Sequence, residues 1–302
     1  KNQKMMGGVQ KYQSNNLTAD ATYNRPLRLL FFQDYFEHDD PMLAQDAYDE
    51  FARSPYSQLI GLRDRIRHDP LVTWIQDLTV PPSHRRLYLT MLGVCGNAED
   101  GRLIESMIQS DDRQVKAGLD AIIACYLSLV GEQGLPLIAD RFLKNQEAEY
   151  PDTYAAIMAL RFHGNQGGVI DRPPLIEALR HMLDRTDLAD LVIPDLVRWE
   201  DWESLPRLVH LFKTSDEESS WLRVPVFNYL RECPLPEAKV AIDELAAIDP
   251  DAFQRSTTFF RSTNQADGSD QTAATNSDNK NEDDGAITAT TTTAKKRKKK
   301  FS

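Results

Sequence analysis

Proline is the residue that most constrains this chain. Three segments, GLPLIADRFLK around Pro136, RPPLIEALRHML around Pro174 and SLPRLVHLFKT around Pro206, each set proline ahead of apolar residues at helical spacing. Proline has no amide hydrogen to give, so it is tolerated in a first helical turn and breaks a helix interior. Each segment is therefore expected to start a helix at its proline. The three prolines stand 38 and 32 residues apart. A unit of that length cannot bury an apolar face by itself, so copies must stack on one another.

A second set of segments alternates with the first: DDPMLAQDAYDEF, DDRQVKAGLDAI, PDTYAAIMAL and TDLADLVIPDL. Each carries aspartate at its start, which suits a helix N-cap. Each then brings in a small residue (Ala44, Ala117, Ala156, Ala189) that lets a neighbouring helix approach. In DDRQVKAGLDAIIACYLSLV, residues Val115, Leu119, Ile122, Tyr126 and Leu129 share one helical face, with Asp111 or Asp112 as the expected cap. NAEDGRLIESMIQS repeats the pattern with Leu103, Ile104, Met107 and Ile108, and Asn97 with Asp100 reads as a capping box. Alternating Val/Ile/Thr runs and Asn-Gly hairpin turns are missing, so the fold class is all-α.

Proline-started first helices paired with aspartate-started second helices resemble the HEAT-repeat family of α-solenoids. LGVCGNAED and LVRWEDW further resemble an uncharacterised bacterial HEAT-like group, for which no reaction is implied. The resemblance implies a right-handed, armadillo-like solenoid of about six to seven degenerate pairs over residues 25–260. It also implies an extended concave surface offered to a partner. Pro194 and Pro225 fall inside the later second helices and are expected to kink or shorten them.

Residues 1–24 read as a polar, poorly ordered lead-in. Residues 261–294 form a Ser/Thr/Asn/Asp-rich linker with too little apolar surface to offset the entropy of ordering. The whole chain has 35 basic and 46 acidic residues; without the 8 and 6 of residues 261–302, the body keeps 27 and 40, a net of −13. A body of that sign repels phosphate backbones, so it is not expected to bind nucleic acid. Residues 295–302 hold six consecutive basic residues followed by Phe301. A nuclear-type address and a solubilising or nucleic-acid-binding tail compete for that run with a juxtamembrane anchor. The order polar spacer, basic cluster, apolar start favours the anchor, with an apolar span expected after residue 302. No stretch of 18 apolar residues lies within the chain, and no signal-peptide pattern opens it. The compartment stays open.

The search for chemistry returns no catalytic residue, no cofactor site and no metal site. Cys95, Cys125 and Cys233 are scattered, odd in number and without a C-x-x-C, so they read as structural thiols. The six histidines form neither H-x-x-x-H nor H-E-x-x-H. FHGNQGGV at 162–169 reads as a loop between helices, with Gly164 ending the first. RWEDWE is the densest polar-aromatic cluster, and Arg198, Trp199 and Trp202 are its candidate partner-binding residues. Packing competes: Trp199 continues the face of Leu188, Val192 and Leu196, and Trp202 can staple the next helix. The expected function is a non-catalytic scaffold for a protein or peptide partner, tethered to a membrane through a following span. An accessory domain of a larger protein, or an enzyme with a site composed between repeats, are the alternatives.

Overall fold

The helix-starting prolines sit where their chemistry allows. The computed structural model describes residues 28–216 and 220–257. After a helical stretch at 28–35 come α1 (Pro41–Ala52), α2 (Tyr56–Ile60), α3 (His68–Gln76), α4 (Pro82–Cys95) and α5 (Ala98–Gln109). Next are α6 (Leu119–Val130), α7 (Leu135–Ile138, continued by a π turn over Ala139–Leu143), α8 (Tyr150–Phe162) and α9 (Arg172–Arg180). Then follow α10 (Ile193–Arg198), α11 (Leu205–Thr214), α12 (Arg223–Glu232) and α13 (Pro236–Ile248), and helix resumes at 250–257. No strand occurs among the described residues, so the protein is all-α there. These residues belong to one compact unit that ends at Thr257. The polar lead-in, the linker and the basic run fall outside them.

Prolines 136, 173 and 206 occupy first turns of α7, α9 and α11. Pro194 and Pro225 meet the same rule by shortening their helices. A 3-10 turn, Ala189–Leu191 or Ser220–Leu222, runs ahead, and α10 or α12 then begins within two residues of the proline. The capping box of α5 is formed, with Glu99 N–H donating to Asn97 Oδ1 and Asn97 N–H to Asp100 Oδ2, both at 2.7 Å.

Two helix boundaries differ from the sequence reading. The helix expected from Asp111 starts at Leu119. Asp112 instead closes a turn by accepting from Gln114 N–H at 2.7 Å. The buried Arg85 guanidinium takes the carbonyls of Gln114 and Val115, at 2.9 and 3.1 Å, which a continuous helix would need for its own bonds. Gly118, at φ 85°, supplies the left-handed step into α6. At the other site, α8 does not end at Gly164. It runs on through a π turn over His163–Gly167 and stops at Gly168, φ 62°.

Packing follows the alternation of segments. First and second helices pair as α3 with α4, α5 with α6 and α11 with α12; α4, α6 and α8 pack side by side, and α9 lies on α7 as α13 lies on α11. Fully buried side chains run the length of the unit: Tyr88, Ile104, Ile122, Leu160, Leu196 and Phe227. Leu119–Leu143 is long and apolar enough by composition to cross a membrane. Gly131, at φ 74°, divides that run, and Ile122, Ile123, Leu127 and Leu143 are fully buried within the protein.

Side-chain bonds join positions about one unit apart. His68 meets Asp100, Arg113 meets Glu149, Lys116 meets Asp152, Arg161 meets Asp195, Trp199 meets Asn165 and Lys213 meets Glu244. Their separations are 32, 36, 36, 34, 34 and 31 residues. The N-terminal helices keep this spacing at Tyr48, 36 residues from His84, and break it at Tyr56. Tyr48 stacks on His84 of α4, and the Tyr56 ring meets Phe162 of α8 with centroids 4.9 Å apart. α1 and α2 therefore touch α4 and α8, and a hollow of about 360 Å³ lined by Tyr48, Arg86, Asp120 and Met158 stays open between α1, α4, α6 and α8.

Candidate partner-docking groove

The RWEDWE cluster begins where α10 stops. Asp201 N–H donates to the Leu196 carbonyl at 2.8 Å and Glu200 N–H to that of Val197 at 3.0 Å, a Schellman ending. The residue at the left-handed position of that ending is usually glycine. Here it is Glu200, at φ 57°, in a conformation that costs a residue with a Cβ about 1–2 kcal/mol.

Asp201 is then fixed from several sides. Its carboxylate accepts from Ser204 Oγ at 2.5 Å and from Arg180 Nε at 3.1 Å, and its carbonyl accepts from the Tyr229 hydroxyl at 2.5 Å. Arg180 also donates to Glu203 at 2.9 Å. The Asp201 carboxylate, and after it that of Glu203, raises the guanidinium pKa and holds the charge in place. Trp202 rests edge-on against Tyr229, with centroids 5.4 Å apart.

These groups form one wall of a hollow of about 570 Å³. The start of α9 (Pro173, Pro174, Ile176, Glu177, Arg180) and Glu132 from the turn before α7 form the other. Five carboxylates (Glu132, Glu177, Glu200, Asp201, Glu203) face one guanidinium, a formal net of −4. Glu132, Glu177 and Glu200 form no ion pair among the described residues. A second hollow of about 220 Å³ shares Glu132, Pro174 and Glu177 and continues past Pro136, Lys144 and His181. Burial first, and then the charge of Lys144, lowers the His181 pKa, so its ring is neutral at neutral pH.

The three candidate residues part company. Trp199 is 5% exposed, packs with buried Leu188, Val192 and Leu196, and donates Nε1–H to Asn165 at 3.2 Å. Arg198 is half exposed and donates to Asp195 at 3.3 Å, away from the hollow. Trp202 lines the hollow. Sequence reasoning missed Arg180, Glu132 and Glu177, which come from other units. The only signal was that helix-starting prolines share one end of each unit, and three of them line the two hollows.

Comparison with protein-family profiles, with characterised proteins and with solved structures returns no match.

Burial pushes the Cys95 thiol up to about 11 and Cys125 well above the ordinary range. His163, 2% exposed, is held neutral by burial, with Nε2 against the Ala124 carbonyl at 3.0 Å. No group of three or more metal-ligating side chains occurs among the described residues. What the hollow offers is a flat indole, proline faces and unpaired carboxylates. That combination suits holding a cation.

Proposed function

We propose that this protein is a non-catalytic scaffold, a HEAT-like α-solenoid that holds a protein or peptide partner on its surface. The bonds repeated at separations of 31 to 36 residues support the solenoid reading, because each joins like positions of neighbouring units. One observation carries the docking function. The two adjoining hollows put Trp202, helix-starting prolines and unpaired carboxylates along one groove. Cross-linking of the full chain in extracts of its own cells, followed by gel filtration and mass spectrometry, tests this. The expected result is a stoichiometric complex with cross-links at the starts of α7 and α9 and at 199–204. Recovery of the chain alone, free of any stoichiometric partner, overturns it.

A further inference from the structure

We infer that the groove takes an extended cationic peptide, with an arginine or lysine laid on Trp202 between the carboxylates of Glu200 and Glu177; this rests on the scaffold reading above.

Charge complementarity commits the occupant. The hollow has a formal net of −4, and its three unpaired carboxylates are the groups a cationic side chain can satisfy. Phosphate-bearing partners are repelled by the same charges. Arg180 shows the chemistry in place, with one guanidinium held at once by Asp201 and Glu203. The aromatic wall adds attraction for a cation, and proline faces suit an extended backbone. The second hollow continues the path beyond the length of one side chain.

Glu200 supplies a variant that separates binding from folding. A glutamate at φ 57° is disfavoured where glycine would close the same turn without strain. Its carboxylate lines the hollow.

The test uses a fluorescein-labelled hexa-arginine peptide and the full chain, read by fluorescence anisotropy at low and physiological salt. Saturable binding that weakens with salt is expected. Trp202→Ala should weaken it about 2- to 30-fold, the range of a cation–aromatic contact converted to affinity. Trp202 also packs on Tyr229, so a second variant guards against misfolding. Glu200→Gly should raise the melting temperature while lowering affinity, a pairing that loss of structure cannot produce. Absence of binding at low salt, or unchanged affinity in both variants, overturns the inference. A photoreactive version of the peptide that cross-links outside the hollow does so too, placing the peptide elsewhere on the acidic body. Those results leave the scaffold reading standing, since that reading falls only if the cell-extract experiment finds no partner.

Discussion

The indole of Trp199 fills the space that a side chain on Gly164 would need. A Cβ added at Gly164 would stand 2.1 Å from Trp199 Cζ2, well inside van der Waals contact. The π turn over His163–Gly167 brings this backbone against the ring, and Asn165 in the same turn accepts the indole N–H. Gly164→Ala should therefore cost about 1–3 kcal/mol, as overpacking does. In a Trp199→Ala background the same change should cost little, because the obstructing ring is gone. A urea-denaturation double-mutant cycle measures this, and equal costs in both backgrounds would refute the close contact.

Leu119 is 5% exposed at the start of α6, the helix on which α4, α5 and α8 converge. Leu119→Ala should cost about 2–5 kcal/mol through lost burial and the remaining cavity. A loss below about 0.5 kcal/mol, the range of ordinary surface changes, would place this face on the outside.

Two bonds of the same ladder should behave differently. Asp195 is 1% exposed, and burial pushes its carboxyl pKa up while Arg161 pulls it down. Arg161→Ala removes the 2.7 Å partner and leaves the buried carboxylate with Arg198 alone at 3.3 Å, at a cost of about 1.5–3 kcal/mol. Arg113 and Glu149 stand in solvent, and Arg113→Ala should leave the denaturation midpoint unchanged within error. Equal losses in the two variants would mean that burial does not set the strength of these bonds.

His68 predicts a dependence on pH. Its hydrogen bond to Asp69, and after it that to Asp100, raises its pKa, against the opposing effect of burial. A histidine whose folded pKa is raised adds stability that is fully present below the unfolded value of about 6.5 and is lost as pH rises through the folded value. The stability advantage of wild type over His68→Gln should thus be larger near about pH 5.5 than near about pH 8.5. A difference that grows with pH would reverse the sign of the coupling.

The all-α class and the proline-set helix starts were legible because proline acts through its own backbone. Of the four aspartate-led segments only DDPMLAQDAYDEF is capped by its aspartate, with Asp40 accepting from Met42 N–H at 2.9 Å. Asn97 and Asp100 needed only a separation of three residues to be read as a pair. Trp199 was readable from helical spacing alone, since Leu188, Val192 and Leu196 already marked its face as inner. The late start of α6 was hidden because its cause, Arg85, lies about 30 residues earlier and is aimed at backbone carbonyls that any sequence would offer. Gly164 resembled a helix terminator because its close contact comes from another unit. The groove was half visible: RWEDWE announced Trp202, whereas Glu132 and Glu177 join it only once the units are stacked.

Tyr56 ties α2 to the distant helix α8. Its ring joins α2 to Phe162, far along the chain, so force reaching the N-terminal half is shared among several helices. Beyond α9, side-chain bonds such as Lys213–Glu244 and Arg223–Asp249 join only adjacent helix pairs. Pulled from its C-terminal end, the protein should peel in separate steps, each releasing a unit of about 35 residues, or roughly 120 Å of extended chain. Pulled from the other end, it should hold until the clasp at Tyr56 opens and then yield several helices at once.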